Sequence, residues 1–283
     1  MTWASLILLA VSLSNNTASP VAGASSGANS MALAASGDYP GPAFDREAER
    51  ELLRLANQER RKAGAAPLQL DEGLTLAARR HAAAMAGQAQ LSHQFPGEPS
   101  LKLRLAAKSE LLLDRAGENV SMDTSVEQAH QGLMLSAPHR DNLLNPEYNV
   151  AGFAAARNGN RLYIVQDFGH SLPTYPAEQA EARISRAVTG AREKAKLPSL
   201  QRVEEPRMRE AACAMARNDR LATDFTNRAL AVVGYTNLEP DVLPQGALHM
   251  VNQRPTRNFA VGTCYARTPT YPSGVYWVLL AFY

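Results

Sequence analysis

The sequence predicts an α+β layered fold, and three observations carry that prediction. Apolar residues recur at helical spacing over much of the stretch from residue 44 to residue 134. An Asn-Gly turn then joins two strand-like runs at 149–156 and 161–168. The same grammar, helix first and hairpin last, returns over residues 184–283. Helices followed by an antiparallel hairpin, with few signals of alternating βαβ units, is the pattern of an α+β domain.

The first 45 residues are a different material. MTWASLILLAVSLS holds an apolar run from Ala4 to Leu13. It is shorter than the ~20 apolar residues that span a bilayer, so no transmembrane anchor is expected. Its length suits the core of an export signal, and Ala22-Gly23-Ala24 offers a small-residue cleavage site. No Lys or Arg precedes Arg46, so the basic start of such a signal is missing. No cysteine follows the run to carry a lipid. Residues 15–42, rich in Ser, Ala, Gly and Asn, are expected to be disordered. An export signal and linker over 1–45 is preferred to a buried N-terminal strand.

The stretch REAERELLRLANQERRKAG is charged on one side, carries Leu52, Leu55 and Ala56 on the other, and is stopped by Gly64. APLQL is short and extended. Asp71 can cap the next helix, whose apolar positions Leu74, Ala77, Ala78, His81, Ala82 and Met85 fall on one face; Gly87 ends it. LSHQFPGEPS is a loop, and LKLRLAAKSELLLDR reads as a basic helix. GENVSM (117–122) reads as a turn. Thr124-x-x-Glu127 reads as a capping box for a helix that Pro138 closes. In RNGN, Asn158-Gly159 supplies the positive-φ pair of a two-residue hairpin.

Composition narrows the function classes. Hydrophobic residues make up 45% of 283, enough for a real core, and the formal net charge is +2. That balance argues against nucleic acid as a partner. Two cysteines cannot build a four-ligand zinc knot. Five of the six histidines lie between residues 81 and 170. His81 and His130 sit on helix stripes and read as packed, His170 as exposed and His249 as isolated. His93 and His139 lie in a loop and at a helix end, where functional side chains concentrate.

The ordered set NQER (57–60), LAARRHAAAM, LSHQ (91–94), GENV (117–120), SAPHRDNLLN (136–145), NVAGFAAA and LYIVQDFG resembles the CAP superfamily, or SCP domain, in its short bacterial form. That group includes cysteine-rich secretory and plant pathogenesis-related proteins. The resemblance covers roughly 47–170. It implies an α-β-α sandwich around a central antiparallel sheet, with a cleft of two histidines and two acids that binds a divalent metal in some members. Carried onto this sequence, the cleft is His93, Glu118 and His139, and Ser136 stands where longer members keep the second acid. His93, His139 and Glu118 are then a candidate three-ligand set for zinc or another divalent metal, held loosely because the fourth ligand is missing. The same three groups can instead hydrogen-bond to one another or hold a ligand. Arg140 and Asn142 are expected to brace the loop, and Asn119 to bond to backbone. Ser136, three residues before His139, suits a nucleophile by spacing, with Glu118 to orient His139, but no oxyanion hole and no G-x-S-x-G elbow accompany it.

After a linker at 171–183, residues 184–283 read as a smaller α+β domain. ISRAVTGAREKAKLPSL matches LLRLANQERRKAGAAPL at an offset of 132, pairing Arg60 with Arg192 and Leu68 with Leu200. NFAVGTCYA and VYWVLLAFY resemble the earlier hairpin. Either this is a worn duplicate of 46–170 lacking the GEN and S-x-x-H-R motifs, or two amphipathic segments look alike by composition. Cys213 on the predicted helix and Cys264 on the predicted strand are a candidate disulfide, the alternative being two reduced buried thiols. The leading expectation is a secreted or periplasmic protein whose cleft binds a small apolar or peptide ligand. A metal-dependent hydrolase using the same cleft and a structural envelope protein with a vestigial cleft are the alternatives.

Overall fold

The structure is a computed structural model describing residues 10–13, 44–223 and 229–283. In chain order it contains β1 (Ala10–Leu13), α1 (Arg46–Lys62), β2 (Gln69–Leu70), α2 (Glu72–Gln88), α3 (Leu101–Ala106), β3 (Leu112–Asp123), α4 (Val126–Leu135), α5 (Ala137–Leu144), β4 (Val150–Asn158) and β5 (Arg161–Leu172). There follow α6 (Ala177–Lys194), β6 (Gln201–Arg202), α7 (Arg207–Arg217), β7 (Ala231–Asn237), α8 (Gln245–Val251), β8 (Asn258–Ala266) and β9 (Val275–Phe282). Two sheets result, ordered β2-β4-β5-β3 and β1-β7-β9-β8-β6.

The first sheet is covered on both faces. Leu52 and Ala56 of α1, Val126 and Ala129 of α4 and Leu143 of α5 pack with Phe153, Ile164 and Phe168 on one side. Ala78, Ala82 and Met85 of α2 pack with Val120, Ala154 and Val165 on the other. The alternation of side chains along β4 and β5 feeds both layers. Asp71 caps α2 as its sequence signal predicts, accepting from Leu74 N at 2.8 Å, and the structure adds Asp45 as the cap of α1, accepting from Ala48 N at 3.0 Å. Strands β3, β5 and β4 are antiparallel, whereas β2 joins β4 in parallel.

Four local expectations are corrected. GENVSM is not a turn but the middle of β3, with Glu118 opposite Asp167 and Val120 opposite Val165 on β5. Gly117 is there because a Cβ would sit 2.5 Å from the Tyr148 hydroxyl, so its small size serves close packing. The basic helix stops at Ala106, and the apolar LLLDR end of that stretch belongs mostly to β3, where ladder pairing overrides helix propensity. Pro138 does not close a helix. It lies in the first turn of α5, where its missing N–H costs nothing, and α4 ends at Leu135 with Ser125 as its side-chain cap. The hairpin is shifted by one: Asn158 pairs with Arg161, so Gly159-Asn160 is the loop, with Gly159 at φ 61°.

The second sheet repeats the plan of the first. The order β7-β9-β8-β6 matches β3-β5-β4-β2, and β6 joins β8 in parallel as β2 joins β4. Arg60 is fully buried and donates to the carbonyls of Ala66, Leu143, Asn145 and Tyr148 at 2.7–2.9 Å. Arg192 does the same with Pro198, Val251 and Gln253 at 2.7–3.0 Å. In both sheets a glycine lets a helix backbone touch the strand: a Cβ on Gly152 would lie 2.2 Å from Leu74 C on α2, and one on Gly262 would lie 2.2 Å from Met208 C on α7. Cys213 of α7 and Cys264 of β8 form a disulfide.

The apolar run of the N-terminus meets a different environment from the one expected. Its last four residues form β1, antiparallel to β7. The open edge of β7 offers unpaired N–H and C=O groups to any extended segment, which is the physical reason for the pairing. The rest of the expected export signal and the expected disordered stretch, residues 1–9 and 14–43, lie outside the described residues. Among the described residues no helix is long and apolar enough to cross a membrane.

Candidate functional site

The strand β3 delivers Glu118 to the α2 face of the first sheet, with its carboxylate almost wholly buried. His93 arrives from the loop between α2 and α3, and its Nδ1 lies 2.9 Å from Glu118 Oε1. The second carboxylate oxygen accepts a short hydrogen bond from Arg104 Nη2 of α3. Arg104 also donates from Nη1 to the His93 carbonyl at 3.0 Å, so one guanidinium fixes both the acid and the loop carrying the imidazole. Behind this pair, His81 of α2 holds Glu98 Oε1 at 2.7 Å and the Ser92 carbonyl at 2.8 Å, which pins the same loop.

A second pair of the expected residues lies at the start of α5. His139 Nδ1 lies 2.8 Å from Ser136 Oγ. Asn119, the neighbour of Glu118 on β3, points to the opposite face and donates to the His139 carbonyl at 2.9 Å. Asn142 donates back to the Glu118 carbonyl at 3.2 Å and to Asn119 Oδ1 at 3.1 Å, lacing α5 to β3. Arg140 donates to the Met134 carbonyl at 3.0 Å and braces the joint between α4 and α5.

The electrostatics separate the two imidazoles. The hydrogen bond to Glu118 raises the pKa of His93 above its usual value, against an opposing desolvation. Burial lowers that of His139, and the charge of His93 adds to the effect. Asp167, opposite Glu118 on β5, is fully buried with neither oxygen hydrogen-bonded, and burial together with the neighbouring Glu118 pushes its carboxyl well up. Exposed leucines flank the two histidines in sequence: Leu91 is 45% exposed and Leu135 76%.

The four expected residues fall into two pairs, His93 with Glu118 and Ser136 with His139, which Asn119 and Asn142 join through β3, a different wiring from the one expected. Glu118 does not orient His139, because its oxygens are engaged by His93 and Arg104; this removes the support a Ser136 nucleophile would need. His170 is not simply exposed either, since its Nδ1 lies 2.7 Å from Asp114 Oδ1. Sequence reasoning passed over Arg104, Glu98 and Asp167. A lone arginine between Leu103 and Leu105 was the available signal for the first.

A divalent metal does not fit these residues. Among the described residues no group of three or more His, Cys, Asp or Glu is disposed to hold one. Zinc takes carboxylate oxygen at ~2.0–2.2 Å, but both Glu118 oxygens already carry a cationic or imidazole partner.

Comparison with known proteins finds a family match over part of the chain. Residues 53–168 match the CAP family, described as the cysteine-rich secretory protein family. The uncharacterized protein YkwD of Bacillus subtilis (strain 168) is 32% identical over 115 residues, which are 40% of this chain and 44% of YkwD. The chain thus matches less than half the length of that relative. A solved extracellular protein containing an SCP domain, from Bacillus anthracis, is 24% identical with a TM-score of 0.41, over 44% of this chain and 41% of that one. NaASP2, crystallised with Zn2+, is 14% identical with a TM-score of 0.33, over 44% of this chain and 80% of that one. The chain therefore carries, over residues 53–168, a domain of the CAP family.

Proposed function

We propose that this is an exported protein whose first unit, residues 46–170, binds a small apolar or peptide ligand at the cleft of His93, Glu118, Ser136 and His139. The observation that carries this reading is the state of His93. Its side chain is 59% exposed, yet it is held on its inner side by a carboxylate that is 4% exposed. A ring fixed from behind and open in front is built to present its remaining nitrogen outward. The exposed Leu91 and Leu135 beside the two histidines suit a ligand with an apolar part. A cavity of about 330 Å³ between α2 and α3 shares Glu98 and Arg104 with the network and adds apolar surface from Phe95, Pro96 and Leu103.

Export is supported by the Cys213–Cys264 disulfide, since such bonds persist in oxidising compartments. We read the second unit, residues 184–283, as a worn copy of the first that has lost the cleft, on the strength of the matching strand order and the matching Arg60 and Arg192 bonds. Its role is then structural.

The test is retention of small molecules from a lipid and peptide extract by the purified chain. The wild type is expected to retain a ligand, and Glu118→Gln and His139→Ala are expected to lose at least about tenfold in affinity. Equal retention by all three would reject the cleft as the binding site.

A further inference from the structure

Glu118 already holds a cation of the chain's own. The Arg104 and Glu118 side chains are each only 4% exposed. Arg104 Nη2 donates to one Glu118 oxygen, and Nη1 donates to the His93 carbonyl at 3.0 Å and lies 3.7 Å from Glu98 Oε1. We infer that Arg104 is the specificity-determining residue of the cleft: it fills from inside the position a divalent ion would need, so that ligand binding here is metal-free.

The chemistry supports this in three ways. A metal at Glu118 would have to displace a buried guanidinium, and a guanidinium stripped of its carboxylate inside a protein keeps its charge and its desolvation cost. The arginine sits on a short helix whose residues Leu105 and Ala106 are buried, so it has little room to swing away. Third, the surroundings without Arg104 would attract a cation. Glu118 is bonded to the His93 imidazole and Glu98 lies 3.7 Å from Arg104 Nη1, and Arg104 is the cation that offsets both carboxylates. The inference deepens the binding role proposed for the cleft and rests on it for the word ligand only.

Zinc chloride titrated into the full chain, read by calorimetry and by the imidazole proton and carbon resonances of His93 and His139, tests it. Wild type is expected to give no stoichiometric isotherm at a Kd below about 100 µM and no shift of either imidazole. Arg104→Met is expected to gain a one-to-one site at least about tenfold tighter, lost again when Glu118→Gln is added. Arg104→Gln, which keeps a donor for the His93 carbonyl, serves if the methionine variant does not fold. Stoichiometric zinc on the wild type that Glu118→Gln abolishes would overturn the inference, and so would folded Arg104 variants that bind zinc no better than wild type. Ligand retention is read separately, so loss of the binding role and loss of the metal argument give different results.

Discussion

His130 shows how a single side chain, read as packed from its helical spacing, carries a consequence the spacing does not reveal. It is buried on α4 with neither ring nitrogen hydrogen-bonded. Glu51, Arg54, Glu59 and Lys62, all on α1, are the charged groups that act on it, and they oppose one another in sign. Burial dominates and lowers its pKa from 6.5. The unfolded chain therefore takes up this proton first as pH falls. Stability from this residue is intact above about 6.5 and is lost as pH drops through the folded-state value. Urea unfolding of wild type and His130→Leu between about pH 8 and pH 5 reads the effect. The wild type should lose stability on acidification and the variant should lose measurably less; parallel curves would remove His130 as the cause.

Elements were legible where a local signal and the tertiary fold agree. Asp71 caps the helix it precedes, and NFAVGTCYA is a strand over its full length. They were misread where a residue serves a distant partner. Gly117 looks like a turn glycine but is small for Tyr148, and Pro138 looks like a stop but starts α5. The cleft follows the same division. His93, Glu118 and His139 stand in recognisable motifs, whereas Arg104 is set by a contact 14 residues away that no local pattern encodes. Gly152 and Gly262 put this to a test in both sheets. Each allows a helix backbone to lie against an inner strand of its sheet, and a methyl group on either would collide with main chain. Main chain cannot rotate aside, so alanine at either site is expected to cost about 3 kcal/mol. Chemical denaturation of Gly152→Ala and Gly262→Ala checks this, and a loss below about 1 kcal/mol at both would show that the helices can shift without penalty.

At the scale of the whole molecule, the second sheet and its helices touch the first at the start of β3 and at the end of α3. Leu112 at the start of β3 packs in the core of the second unit, and the Tyr276 hydroxyl accepts from the Tyr175 N–H at 2.5 Å. Arg267, just beyond β8, donates to Glu110 at 3.0 Å and to the carbonyl of Ala106, the last residue of α3. A helix end leaves carbonyls without intrahelical partners, and a cation placed there satisfies one and complements the helix dipole. With only six residues, α3 has little stability of its own, so this outside contact matters to it. Because α3 carries Arg104, the second unit reaches the cleft through Arg267 without lining it. Arg267→Ala is expected to speed amide hydrogen exchange over residues 103–109 by about tenfold, a loss of about 1.4 kcal/mol in local protection. Exchange in α7, tied to β8 by the Cys213–Cys264 disulfide, should stay unchanged. If residues 103–109 exchange at the wild-type rate, α3 is held by its own packing through Leu105 and Ala106, and the second unit has no bearing on Arg104 by this route.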